Sequence, residues 1–385
     1  MADNNGKGYI IDVAKRHKYY NQSREYQKKY QQWRTAKNNP YGYNFVRDSR
    51  EHAYVDGEGF IDNTGIDEEK NVLLNCFRLL GVAMLIMAAV CVVKIIVMKI
   101  LFGYDNGGRM YYSMVDSKSA LSIQAAYTLT ILNLLEYFLP LFFLNATTHL
   151  PLKVAIPIKR TKMSVLLSVV LVMMLLLAVG RLVNMFMSVA LSKLSIDSLY
   201  YDYIVVDDPA TMLVCGLLQH VVLSVLIEIF YRGYLLQLFR QFGDMFAVLL
   251  TSVVSVWMLQ DLTQIGYLFI VSFFTGLVTV RTGSIFPACI MRVSARLIAF
   301  AITLVHFGVS DAYGEVFELV IMIAVFFGSV FYYKRMGRKS FRLAIGKDST
   351  DMTLRAKFRM MILSAPVWCG FLAMLVLCIL TVRIL

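Results

Sequence analysis

Uninterrupted apolar windows longer than about eighteen residues recur along this chain, and they decide what it can fold into. A run of that length, wound as a helix, crosses the hydrocarbon core of a bilayer. Inside hydrocarbon every backbone N–H and C=O must be paired internally, so only helices and closed barrels span. A barrel needs short strands of alternating polarity, and the runs here are continuous. With 58% hydrophobic and 17% charged residues in 385, the sequence is expected to be an all-α polytopic membrane protein. About nine transmembrane helices are expected, at roughly 79–102, 119–145, 164–191, 210–238, 244–261, 264–281, 284–307, 315–334 and 361–384.

Loop charges orient those segments. Lys153, Lys159, Arg160 and Lys162 follow the second, Arg240 the fourth, Arg281 the sixth, and nine Lys and Arg lie between 334 and 359. The alternate loops carry Asp197, Asp202, Asp207, Asp208, Asp261 and Asp311. Nine spans with a cytosolic N-terminus place every basic loop on one side. This bias accounts for the net charge of +12 without nucleic acid as a partner. The bilayer is the expected partner, and the chain an integral multi-pass protein. No cleavable signal peptide is apparent, because about seventy polar residues precede the first apolar run. The six cysteines sit almost wholly in apolar runs without CxxC spacing, so they read as small core residues.

Four regions are expected. Residues 1–70 form a cytosolic, tyrosine-rich segment and linker, and 71–209 the first three spans. Residues 210–307 form a core, and 308–385 the last two spans with the basic 334–359 loop. In the first region Val13, His17, Tyr20, Tyr26, Tyr30 and Trp33 recur at near-helical steps among Lys, Arg and Gln. That pattern suits a helix lying among lipid headgroups; a solvated helix or disordered tail carries the same composition.

Charges inside apolar runs mark function or packing. Lys94, Lys99, Glu136, Arg181 and Glu318 are of this kind. Glu136 and Arg181 are expected to pair between neighbouring spans, and Lys99 to snorkel. Glu228 and Arg232 stand four residues apart and so share a helix face. They read either as a functional centre or as a pair that fixes helix packing.

Ile227-Glu228-Ile229-Phe230-Tyr231-Arg232-Gly233 resembles the EExxxRG motif of the CPBP family, the CAAX prenyl proteases and bacteriocin-processing or Abi self-immunity proteins. Arg281-Thr282-Gly283-Ser284-Ile285-Phe286-Pro287 is similar to the turn preceding that family's third motif. The resemblance implies a CAAX-protease-like core in the fourth to seventh spans and a bacterial cell membrane as location. It implies that Glu228 and Arg232 are retained catalytic-motif positions. The other positions depart from the family. The general-base Glu falls on Ile227, the His of the second motif on Gln260, and the His and partner of the third on Arg292 and Arg296.

Isoleucine cannot accept a proton from water. Two arginines cannot ligate a cation and repel one at close range. The expected function is therefore that of a pseudoprotease binding a membrane peptide, a prenylated or anionic ligand, a lipid or a partner protein. An active intramembrane metalloendopeptidase with non-standard residues is one alternative, and a scaffold or transporter with an arginine-lined cavity another. No cofactor is expected. Zinc enters only with the enzyme reading, on a relocated set of His220, Glu228 and His306; a lone intramembrane histidine otherwise serves interhelical hydrogen bonding.

Overall fold

The structure is a computed structural model. It describes residues 10–12, 19, 21–36, 39–43, 46–48, 54–55, 59–60, 65–103, 121–193, 196–198, 206–258, 264–308, 311–336, 350, 352–380 and 382–384. Helices dominate: α1 Arg24–Arg34, α2 Gly65–Phe102, α3 Ile123–Thr148, the single-turn α4 Leu152–Ala155, and α5 Met163–Lys193. Next comes α6, Pro209–Phe242, which changes winding along its length. Then follow α7 Asp244–Trp257, α8 Ile265–Thr282, α9 Phe286–Gly308, α10 Asp311–Met336, α11 Leu354–Ile362 and α12 Ala365–Leu380. Three short antiparallel ladders accompany them: Ile10–Asp12 with Val46–Asp48, Tyr54–Val55 with Gly59–Phe60, and Ile196–Ser198 with Val382–Ile384.

Each of the nine apolar segments is mainly helical over its described residues. Among the described residues six helices are long and apolar enough to cross a membrane by themselves: α2, α3, α5, α6, α8 and α9. A seventh span arises if α11 and α12, bent by 71° at their junction, count as one. The fifth and eighth expected spans correspond to the shorter apolar stretches Asp244–Trp257 and Val316–Tyr332. At 1.5 Å per residue the first covers only about 21 Å, less than a bilayer core. The protein is an all-α, multi-pass membrane protein.

Helix α6 is central. It packs against α3 on one side and against α7, α8 and α9 on the others. Helix α2 packs on α3 and, along its other flank, on α12. That approach depends on Gly81, where a Cβ would collide with the Pro366–Val367 peptide. The Glu136 carboxylate pairs with Lys94 of α2, Nζ to Oε2 2.8 Å; the side chain of Arg181, the partner expected from sequence, lies outside the described residues. Lys94 also reaches Asn133, which bonds Gln219 of α6. A polar thread thus ties the first, second and fourth spans together inside the apolar bundle.

The described part of the N-terminal region packs on one end of the bundle. Helix α1, capped by Ser23 Oγ accepting from Tyr26 N, turns its aromatic face onto the bundle and leaves Arg24, Glu25, Lys28 and Gln32 exposed. Tyr26, Tyr30 and Trp33 are buried in the same core as Phe77, Phe239, Phe242 and Phe246. Val13, His17 and Tyr20 lie outside the described residues. The C-terminal part of the basic loop meets the same end of the bundle. Buried Lys357 donates to Phe242 O at 2.5 Å and faces Glu69 at 3.9 Å. Glu69 therefore belongs to a packed junction and not to a linker.

Candidate functional site

The site is built on α6, whose winding alternates. Residues Leu218–Val222 and Ile229–Leu235 are π-helical, separated by the α-helical turn Leu223–Glu228. Such widened turns concentrate at functional positions. In a pure α-helix, residues four apart drift by about 40° per step. Wider turns reduce that drift, so His220, Ser224, Glu228 and Arg232 run along one stripe. All four are at most 2% exposed. Each also carries a side-chain atom with no hydrogen-bond partner among the described residues: His220 Nδ1, Ser224 Oγ, Glu228 Oε2 and Arg232 Nη1. Orphaned buried polar atoms are rare in folded proteins, and four in one row mark a stripe built for polar company.

Glu228 is the hub. Its Oε1 accepts from Arg292 Nε at 2.5 Å, and its Oε2 lies 3.7 Å from Arg232 Nε. Arg292 reaches it from α9, on the far side of the Gly283 turn. Gly283 sits at φ 67°, the left-handed conformation that ends α8, and a Cβ there would meet Asn21 O at 2.5 Å. Arg232 is held from α8. Its Nη2 donates to Ser272 O at 2.7 Å and to Ser272 Oγ, and its Nε to Thr275 Oγ1 at 3.1 Å. Ser272 in turn bonds Ser255 of α7. One guanidinium thereby joins α6, α7 and α8. Gly233, beside it, allows α4 to approach, because a Cβ would come within 2.8 Å of Ala155 O.

The expected site residues divide sharply. Glu228, Arg232 and Arg292 come together. Ile227, at the general-base position, is buried apolar packing, 6% exposed. Arg296 lies one turn beyond Arg292 and is half-buried. Gln260 lies outside the described residues, as does the His306 side chain. His220 stacks on Phe300, with ring centroids 4.9 Å apart. Ser272, Thr275 and Ser255 went unread in the sequence. The signal was present: Ser272, Thr275, Thr279 and Thr282 recur at steps of three and four along an otherwise apolar helix.

Among the described residues no three His, Cys, Asp or Glu side chains converge. The one carboxylate of the stripe already holds a guanidinium on Oε1 and faces a second on Oε2. A cation would have to displace Arg292 and then sit between two positive groups.

Fold and site together define a polytopic membrane protein with a charged centre sealed inside its bundle. Residues 209–298 match the model of the Type II CAAX prenyl endopeptidase Rce1-like family. The match covers just under a quarter of the chain. No curated protein matches the chain, and no solved structure does.

Proposed function

We propose that this chain is a catalytically degenerate member of the CAAX-protease family. It binds an anionic group on a membrane-embedded peptide, lipid or partner protein and does not cleave it. The observation that carries this reading is the Arg292–Glu228 contact at 2.5 Å, with Arg232 on the other carboxylate oxygen. The carboxylate that would work on a substrate is consumed as a counter-ion, and no second carboxylate stands beside it at Ile227. Two guanidiniums against one carboxylate leave a positive charge, and Arg232 Nη1 lacks an acceptor among the described residues. A carboxylate or phosphate oxygen matches that donor.

Restoration tests the reading. The natural chain should leave prenylated CAAX peptides intact. So should Glu228→Gln, whereas the combined Ile227→Glu, Gln260→His, Arg292→His, Arg296→Asn variant supplies the missing groups for comparison. Cleavage by the natural chain that disappears in Glu228→Gln would refute the pseudoprotease and favour the active endopeptidase. Elemental analysis of purified protein is expected to find no stoichiometric zinc. About one zinc per chain, lost in His220→Ala, would revive the relocated site.

The end of the bundle holding α1 and Lys357 is assigned to the cytosol by its basic residues. In a cysteine-free background, single cysteines at Lys28 and Arg355 should react from the cytosolic side, and one at Asp207 from the opposite side. Labelling of all three from one side would break this topology.

A further inference from the structure

Helix C-termini leave their last carbonyls without intrahelical partners. Three membrane helices end beside residues 19–43, and that strap donates to each. Trp33 Nε1 bonds Thr148 O of α3 at 2.8 Å. Asn21 Nδ2 bonds Arg281 O of α8 at 2.6 Å. Tyr30 Oη bonds Gln237 O of α6 at 2.7 Å. Gln241 fastens the far end of the strap, accepting from Tyr43 N and donating to Tyr41 O, both at 2.7 Å. The Arg240 guanidinium lies 4.9 Å from the centre of the Tyr19 ring.

One contact goes deeper. In the π-helical turn after Glu228, Leu236 N donates to Tyr231 O and Gly233 O and so passes over the Arg232 carbonyl. The Gln237 side chain fills that place, Nε2 to Arg232 O at 3.2 Å. Its other amide atom, Oε1, accepts from Tyr26 Oη at 2.5 Å. The carbonyl fixes which way the amide points, and the phenol holds it there. Burial pushes the Tyr26 phenol up to about 12, so it remains a donor throughout the physiological range.

We propose that the described residues of 19–43 cap the bundle, and that Tyr26 and Gln237 are positioning residues through which this cap sets the turn carrying Arg232. With the cap seated, the Tyr26–Gln237–Arg232 relay holds the π turn, and Arg232 presents its guanidinium to Glu228 and Ser272. With the cap withdrawn, the Gln237 amide is free to rotate and the Arg232 carbonyl loses its donor. The site is thereby coupled to whatever pulls on the N-terminal segment. The relay operates whether the centre binds or cuts, so its test needs no ligand.

Hydrogen exchange on the full chain in lipid nanodiscs reads the relay directly. Tyr26→Phe keeps the ring and deletes the hydroxyl. It should speed exchange of amides 232–237 by about fivefold, the loss of roughly one hydrogen bond, while residues 143–148 stay unchanged. Trp33→Phe removes a comparable bond at the cap's other edge, and should speed exchange at 143–148 but not at 232–237. Gln237→Leu breaks the relay from the core side and should reproduce the Tyr26→Phe signature even if that variant folds poorly. The proposal is overturned if neither Tyr26→Phe nor Gln237→Leu changes 232–237. It is equally overturned if Trp33→Phe loosens 232–237 as much as they do, for the cap would then act only as bulk packing.

Discussion

Glu228→Gln should lower the unfolding free energy by about 3–5 kcal/mol, the cost of removing one member of a fully buried charge cluster. The carboxylate faces two guanidiniums and both its partners are buried, so no water is at hand to take its place. The two arginines are not equivalent. Arg232 keeps Ser272 and Thr275 as acceptors when the charge is gone. Arg292 makes its one hydrogen bond among the described residues to Glu228. In the Glu228→Gln background, Arg292→Gln should therefore recover more of the loss than Arg232→Gln. A thermal or denaturant unfolding series in detergent measures this, with Ile227→Ala as a reference for ordinary cavity formation. Unchanged stability in Glu228→Gln would mean a protonated or solvated carboxylate, and the anion-binding proposal would fall with it.

A second large effect is expected about two turns past the site. Arg240 Nε bonds Asp244 Oδ1 at 2.6 Å, with side chains 0% and 3% exposed. The geometry rests on Gly243 between them, whose φ of 121° lets the chain reverse from α6 into α7. Asp244→Asn leaves the Arg240 guanidinium buried with a neutral neighbour and should again cost about 3–5 kcal/mol. Because Arg240 also stacks on Tyr19, the damage should extend to the strap. Limited proteolysis ought to cut within residues 19–43 of this variant at protease levels the wild type resists. Arg240→Met combined with Asp244→Asn should return part of the stability, because an apolar side chain leaves no charge behind. If the double variant is worse than the single, the guanidinium has other support.

The positions of the helices were legible because hydrocarbon length is written directly into apolar run length. Their pairing was not. Glu136 has several cations within sequence reach, and only the packing of α2 on α3 selects Lys94. The Glu228–Arg232 spacing announced itself, and the family resemblance pointed to Arg292, but the hydroxyl stripe on α8 passed as filler in an apolar helix. The strap is the instructive case. Its aromatic spacing was visible, yet aromatics among basic residues describe a helix on headgroups and a helix on protein equally well. What separates them is a set of indole, phenol and amide donors matched to particular carbonyls of α3, α6 and α8. Those carbonyls become neighbours only after the bundle is assembled.

The contact at Gly81 bears on how the molecule is made. Helix α2 leaves the ribosome well before α12, yet the two lie with backbone against backbone. During synthesis the notch at Gly81 therefore waits for its partner until α12 has been translated. The α2–α12 contact therefore forms late, and the helices between them must hold their places in the bilayer meanwhile.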